Sequence, residues 1–186
     1  MSRVKIAILG GGAWGTALAL TMLRAGHEPV LWARDPQTVD AINQLHENTR
    51  YLPGIRLDEG LEATTDLAAA LAGARCVLLV TPAQALRAAC SESARHIPAN
   101  VPAVICAKGI EASTGHLLSE IVGELLPENP VAALSGPGFA ADVSRGLPTA
   151  VTVAARDEAL AVHLAALLSA PHLRCYSSTD LTGVEI

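Results

Sequence analysis

Apolar residues follow two patterns along the 186 residues of this chain. Short apolar runs predict strands that are buried on both faces, at residues 4–9, 29–33, 76–80, 101–107, 131–134, 149–154 and 173–176. Apolar residues at helical spacing predict helices over residues 17–25, 36–47, 67–71, 83–95, 111–126 and 157–169. The polar stretch 48–60 contains a Pro-Gly turn signal and predicts a loop. Strands that alternate with helices predict an α/β fold with a mostly parallel sheet.

A glycine-rich turn separates the first predicted strand from the first predicted helix. Gly10, Gly12 and Gly15 form the pattern G-x-G-x-x-G within a strand–helix–strand unit. Gly10 permits a tight turn, Gly12 lets a pyrophosphate approach the backbone, and Gly15 lets the helix pack closely. Free N–H groups at the start of the helix attract phosphate. The sequence therefore predicts a dinucleotide-binding domain over residues 1–186, with a doubly wound, Rossmann-type sheet and helices on both faces.

Composition and charge narrow the class of protein. Hydrophobic residues make up 51% of the chain, which suffices for a two-sided core, and the net charge of −5 argues against nucleic-acid binding. No apolar run reaches the roughly 18 residues of a membrane span, and the first run is not a signal peptide. The four cysteines lack metal-ligand spacing, and the six histidines are scattered and expected mostly on surfaces. These features predict no metal site, no membrane insertion and a reducing, cytoplasmic location.

Two residues after the second predicted strand bear on the choice of nucleotide. Asp35 lies 20 positions beyond Gly15 (35 − 15), where an acid can hold the adenosine ribose hydroxyls. Asp35 can equally cap the helix that begins at Pro36. Arg34 suits a 2′-phosphate, or it is a solvated surface charge. The chain is therefore expected to bind NADP or NAD.

Two further strand ends are candidates for the site. Lys108 and Gly109 follow the predicted strand 101–107 at its carboxyl end, where ligands bind in doubly wound sheets. Lys108 is thus a candidate to meet a substrate phosphate or hydroxyl, with a solvated lysine as the alternative. Thr81-Pro82 either lies over the cofactor or is a plain strand exit.

Several separated motifs together resemble the bacterial NAD(P)-dependent glycerol-3-phosphate dehydrogenases. These are GGGAWGTALA at 10–19, LWARD at 31–35, YLPGI at 51–55, AKGIE at 107–111, LSGPGFAADVSRGLPTA at 134–150 and GVEI at 183–186. The resemblance covers the chain from end to end in the expected order. Linked motifs of this kind are far more specific than the glycine pattern alone.

The resemblance implies roles for residues beyond the three glycines. It implies that Ala13, Trp14, Arg34, Lys108 and Ala140 contact NAD(P)H. It also implies that Lys108, Gly136 and Gly138 contact the substrate. At Gly138 the family usually carries serine or threonine, so here only the backbone would serve.

The resemblance also implies a reaction. This is reversible hydride transfer between dihydroxyacetone phosphate and sn-glycerol 3-phosphate, a step that serves glycerophospholipid synthesis. The family's general acid/base lysine and its helical substrate domain come after GVEI, so the chain to Ile186 is expected to bind cofactor with little turnover. A homodimer of the full-length protein is compatible with the resemblance. The alternatives are a hydroxyacid or ketopantoate-type reductase and a non-catalytic nucleotide-sensing module.

Overall fold

Strands and helices alternate along most of the chain, as the apolar pattern predicts. The computed structural model describes residues 3–186. In that range the α-helices are α1 (Ala13–Arg24), α2 (Pro36–Asp40), α3 (Leu67–Leu71), α4 (Leu86–Ser93), α5 (Leu118–Leu125), α6 (Ala140–Ser144), α7 (Glu158–Leu168) and α8 (Leu181–Glu185). The strands are β1 (Lys5–Leu9), β2 (Glu28–Trp32), β3 (Glu47–Asn48), β4 (Leu52–Arg56), β5 (Glu62–Thr64), β6 (Cys76–Leu79), β7 (Ala103–Ile105), β8 (Val131–Ser135), β9 (Thr149–Ala155) and β10 (Leu173–Ser178).

Eight of these strands form one sheet, in the order β10-β9-β8-β7-β6-β1-β2-β5. The strands from β5 across to β8 are all parallel, whereas β9 runs antiparallel to β8 and parallel to β10. The chain builds outward from β1 to β2 and β5, then crosses back to place β6 on the other side of β1. This reversal of direction beside β1 is the switch point of a doubly wound sheet.

Both faces of the sheet are covered, so its central strands are apolar on both sides. Ile6 and Ile8 of β1 belong to the cluster beneath α1 and α7. Ala7 and Leu9 of the same strand belong to the cluster beneath α3, α4, α5 and α8. The alternation of side chains along a strand produces this division. The predicted fold, a mostly parallel sheet with helices on both faces, is confirmed. Within residues 3–186 no helix is long and apolar enough to cross a bilayer.

The region between β2 and β5 differs from its prediction. The helix predicted over residues 36–47 is α-helical only to Asp40, continues as a π-helical turn at Ala41–Leu45, and stops at His46, whose φ is 50°. The wider turn rotates Leu45 away from the face of Val39 and Ile42, and its side chain is 62% exposed. The predicted loop 48–60 is also wrong in part, because β4 pairs with β3.

The helix predicted over residues 111–126 begins only at Leu118. Residues 111–117, predicted to be helical, instead form a turn closed by a bridge between Ile110 and Leu117. Gly115 has a φ of +76° and donates its N–H to the carbonyl of Glu111. A positive φ cannot continue a right-handed helix, so the helix starts after this turn.

One histidine departs from the expected surface location. His27 follows α1 and is 4% exposed, with Nε2 3.0 Å from the carbonyl oxygen of Leu167. This contact joins the end of α1 to α7 inside the core, so His27 has a structural role.

Candidate functional site

A cleft of about 660 Å³ opens at the switch point of the sheet. Its walls are the segments that follow β1, β2, β6 and β7, at residues 10–15, 33–35, 80–83 and 106–108. These four strands are parallel neighbours, so their carboxyl ends meet at one edge. Ligands of doubly wound sheets bind at this edge. Thr81 and Pro82 line the cleft, which favours the first of their two interpretations.

The three glycines of the pattern have different surroundings. A Cβ on Gly10, whose φ is +138°, would overlap the carbonyl oxygen of Val80, and a Cβ on Gly15 would overlap that of Gly10. A Cβ on Gly12 would meet nothing within 4 Å. Gly10 and Gly15 therefore hold the turn tightly folded, whereas the open space at Gly12 belongs to the cleft.

The start of α1 is free to receive an anion. Gly12 is the N-cap, provides no side-chain capping bond, and the first turn contains no acidic residue. The unpaired N–H groups and the positive end of the helix therefore face the cleft beside Gly12. An open Cβ position beside free N–H groups fits a dinucleotide pyrophosphate.

Asn48 supports the glycine turn from below, a role that the sequence did not reveal. It is fully buried, and its Nδ2 donates to the carbonyl of Gly11 at 2.9 Å and to Thr16 Oγ1 at 2.8 Å. Its Oδ1 accepts the N–H of Tyr51 at 3.2 Å. The side-chain amide of Asn48 thus connects the glycine turn to the β3–β4 hairpin, and this hairpin brings Tyr51 to the cleft. No local pattern distinguishes this asparagine from an ordinary loop residue.

Asp35 caps α2, as one of its two interpretations predicts. Its Oδ1 accepts the N–H of Gln37 at 3.1 Å, and its Oδ2 accepts from Thr38 Oγ1 at 3.0 Å and Arg50 Nη1 at 3.1 Å. The Thr38 hydroxyl, the Gln37 amide and the Arg50 guanidinium hold the pKa of this carboxyl below its usual range. Asp35 lines the cleft and stays ionised there.

Arg34 lies beside Asp35 in the wall of the cleft. Its side chain is 74% exposed, and its Nη2 is 3.8 Å from Glu92 of α4. An ion pair this exposed is weak, so Arg34 is available to a ligand phosphate.

Lys108 lines the cleft on a segment that is held from two sides. Gln84 Nε2 donates to the carbonyl of Ile110 at 2.8 Å, and Gln84 Oε1 accepts the N–H of Ala112 at 2.9 Å. Gly109 has a φ of +112° and donates its N–H to the carbonyl of Glu185 in α8 at 2.9 Å. Lys108 therefore projects from a fixed backbone beside the ends of β6 and β7.

An ion pair reinforces this segment. Arg87 of α4 contacts this turn through the buried Glu111, with Nε 2.9 Å from Oε1. Its Nη1 also lies 3.0 Å from Oε2 of Glu124. Arg87 and the Thr114 hydroxyl lower the pKa of Glu111, so this carboxylate remains charged.

A second turn rich in small residues, at 135–140, lies beside the cleft and not in its wall. A Cβ on Gly136 would be 2.9 Å from Val151 of β9, so this glycine fits against the neighbouring strand. A Cβ on Gly138 would be 3.1 Å from Thr149 Cγ2 and 3.3 Å from Trp14 Cη2. Ala140 begins α6, which packs on α1. The structure thus brings Gly138 to Trp14 but does not place Gly136, Gly138 or Ala140 in the wall of the cleft.

Cys106 lines the cleft but does not have the character of a nucleophile. Burial raises the pKa of its thiol, which therefore stays protonated. All four cysteines, at positions 76, 90, 106 and 175, are free thiols.

The parallel sheet, the tight glycine turn and the free helix start define a dinucleotide-binding domain of the Rossmann type. Comparison with known sequences is more specific. The pattern of the family described as "NAD-dependent glycerol-3-phosphate dehydrogenase N-terminus" matches residues 5–161. The chain belongs to the family of NAD-dependent glycerol-3-phosphate dehydrogenases and corresponds to their N-terminal part, which confirms the resemblance seen in the sequence.

Two bacterial relatives are similar over nearly the whole chain. A glycerol-3-phosphate dehydrogenase (NAD(P)+) of Mesorhizobium japonicum is 68% identical over 185 residues, covering 100% of this chain and 54% of the relative. One of Chelativorans is 62% identical over 181 residues, covering 97% and 55%. The chain thus spans about half the length of the curated relatives that it matches.

Solved structures agree with the family and the fold. The glycerol-3-phosphate dehydrogenase of Coxiella burnetii superposes with a TM-score of 0.91 at 36% identity, covering 98% of this chain and 56% of that one. A ketopantoate reductase of Ralstonia eutropha superposes with a TM-score of 0.74 at 23% identity, covering 98% and 59%. The second likeness shows a shared fold alone and does not favour the alternative reductase.

Proposed function

We propose that this chain binds NADP(H) or NAD(H) across the cleft and forms the cofactor half of an sn-glycerol-3-phosphate dehydrogenase. The complete enzyme would interconvert dihydroxyacetone phosphate and sn-glycerol 3-phosphate for glycerophospholipid synthesis, in the cytoplasm. The observation that carries this proposal is the cleft itself, because four parallel strands end there beside an open glycine position and a free helix start.

The glycine turn would hold the pyrophosphate. Its backbone N–H groups and those of Ala13 and Trp14 lie at the start of α1, where they can donate to phosphate oxygens without a side chain in the way. Because Gly10 and Gly15 are packed against backbone, these donors are fixed before the ligand arrives. Such preorganisation lowers the entropic cost of binding.

Lys108 would orient the reacting groups. The bound nicotinamide supplies or accepts the hydride, and the sheet edge determines where its ring can lie. Lys108 follows β7 at that edge, and its ammonium can donate to a substrate oxygen or phosphate and stabilise negative charge there. Gln84 and Glu185 bond to the backbone around it, and Arg87 pairs with the side chain of the nearby Glu111. These contacts support a positioned rather than a solvated lysine.

Gly136, Gly138 and Ala140 remain candidates for ligand contact. Gly138 adjoins Trp14, which lines the cleft, so a substrate placed between Lys108 and Trp14 would pass close to this turn. Gly138 has no side chain, so its backbone can lie close to the indole of Trp14, where the serine or threonine usual in the family would place a hydroxyl.

Direct titration tests the proposal. Trp14 and Trp32 line the cleft, so their fluorescence should report NADPH and NADH binding to the folded chain. We expect saturable binding of at least one nucleotide at about micromolar to millimolar concentration. Absence of saturation at millimolar nucleotide in a folded sample would contradict the proposal. Reduction of dihydroxyacetone phosphate, and not of other carbonyl compounds, by a longer protein containing this chain is the matching test of the substrate.

A further inference from the structure

The adenosine end of the cleft contains a charge arrangement that the family resemblance does not assign. Asp35 stands at the carboxyl end of β2, where a carboxylate accepts the ribose hydroxyls of NAD. The same carboxylate repels the 2′-phosphate of NADP, because two negative groups would lie within a few ångströms. A chain that uses both nucleotides needs a way to offset this charge.

Arg50 offsets it directly. Its Nη1 is 3.1 Å from Asp35 Oδ2, and within residues 3–186 Asp35 is its only hydrogen-bond acceptor. The remaining guanidinium donors are free, and the side chain is 63% exposed. Arg50 can therefore compensate Asp35 and still face a phosphate at the same point.

The hairpin holds Arg50 at this position. Arg50 lies in the turn between β3 and β4, next to Tyr51, whose N–H is fixed by the buried Asn48. The Arg50 guanidinium carbon is 5.1 Å from the centre of the Tyr51 ring, and Tyr51 lines the cleft. The cation–π contact with Tyr51 and the ion pair with Asp35 thus fix the position of the Arg50 guanidinium.

The Asp35 carboxylate also retains capacity for a ribose hydroxyl. Thr38 and Arg50 both donate to Oδ2, whereas Oδ1 accepts one backbone N–H in the described chain. A carboxylate oxygen has two acceptor sites, so Oδ1 can accept a further donor. NADH and NADPH can therefore meet different halves of the same Asp35–Arg50 pair.

We propose that Arg50 is a specificity-determining residue, which masks the charge of Asp35 and thereby lets the site accept a 2′-phosphate. This rests on the proposed cofactor function and goes beyond it. In the described chain Arg50, and not Arg34, contacts Asp35, so Arg34 can meet a phosphate but does not compensate the carboxylate.

A double-mutant cycle tests the mask, with dissociation constants for NADPH and NADH as the readout. The proteins are wild type, Arg50→Ala, Asp35→Asn and the double variant, all of this chain. Asparagine is also a good N-cap, so Asp35→Asn should keep α2. Arg56→Ala is the matched control, because Arg56 is also well exposed in the same hairpin and, within residues 3–186, pairs only with the nearby Glu59.

We expect Arg50→Ala to weaken NADPH about tenfold and to change NADH by less than about twofold. In the Asp35→Asn background the same change should weaken NADPH at least about threefold less, because the charge to be masked is absent. The NADPH-to-NADH preference of wild type should also fall as salt rises, since the pair is exposed. Arg56→Ala should bind both nucleotides like wild type.

Two results would overturn the inference. One is equal weakening of NADPH and NADH by Arg50→Ala in a folded sample. The other is the same NADPH loss in both backgrounds, which would mean that Asp35 and Arg50 act independently. Failure of wild type to bind either nucleotide is a different outcome and would contradict the proposed function on which the inference rests.

Discussion

At the scale of residues, the three glycines of one motif differ in what surrounds them. Gly10 and Gly15 are excluded from bearing a side chain by nearby backbone oxygens, whereas Gly12 is not. The sequence identified all three positions, and the role predicted for Gly12 in holding a pyrophosphate stays a prediction. It did not show that Gly15 packs on the carbonyl of Gly10 within the turn itself, because that contact depends on how the turn closes.

This difference gives a direct test of the turn. Gly12→Val should weaken binding of NADPH and NADH at least about a hundredfold, because the new side chain fills the space beside the helix N–H groups. The thermal midpoint should change little, since nothing lies within 4 Å of that position. Gly123→Val, at an exposed helical glycine that also has open space around it, is the control and should bind normally. Retained affinity in Gly12→Val would contradict the pyrophosphate assignment.

Other residues show where single positions cannot be predicted from sequence. Asp35 had two interpretations, and the structure confirms the cap while leaving one carboxylate oxygen free to accept another donor. The histidines are expected mostly on surfaces, yet α7 covers His27 through a hydrogen bond to a residue 140 positions later. Burial by a distant element has no local signal, so sequence reasoning could not find it.

At the scale of elements, apolar runs predicted seven of the eight strands of the main sheet, because the central strands are buried on both faces. Prediction failed where a turn or an ion pair decides the structure. The β3–β4 hairpin follows from pairing between two segments, and not from their own apolar pattern. Residues 111–117 form a turn because Gly115 adopts a positive φ and Glu111 pairs with Arg87 of α4.

The Arg87–Glu111 pair predicts a pH dependence of stability. The pKa of Glu111 is lowered below its ordinary value of 4.5 by Arg87, then by Thr114. The ionised Glu111 carboxylate therefore contributes fully to the free energy of unfolding above pH 4.5. This contribution is lost as the pH falls through the lower pKa of Glu111 in the folded protein. We expect the free energy of unfolding of wild type to exceed that of Glu111→Gln by a constant amount near neutral pH, and this difference to shrink in acid.

Urea unfolding of both proteins across that pH range measures the difference. Glu124→Gln is the control, because Glu124 contacts the same arginine but its side chain is 55% exposed. An exposed pair contributes little, so this variant should stay close to wild type at every pH. A wild-type advantage over Glu111→Gln that persists unchanged in strong acid would refute the assigned role of the pair.

At the scale of the whole molecule, the order of strands locates the site. The crossing from one side of β1 to the other leaves a crevice between β1 and β6, and the candidate residues of four segments meet there. The sequence predicted each of these segments separately. They lie together because the strands before them are parallel neighbours in the sheet. The turn at 135–140, with Gly136, Gly138 and Ala140, lies beside this crevice. Its proposed contacts therefore require a ligand that reaches beyond the wall of the cleft.

A crystal structure of this chain with NADPH is the most direct measurement of the central claim. We predict pyrophosphate oxygens within about 2.7–3.2 Å of backbone N–H groups at Gly12, Ala13 or Trp14, at the start of α1. The adenosine ribose should then lie beside Asp35 and Arg50 at the end of β2. A dinucleotide bound elsewhere on the chain, or one whose pyrophosphate avoids the glycine turn, would contradict the account.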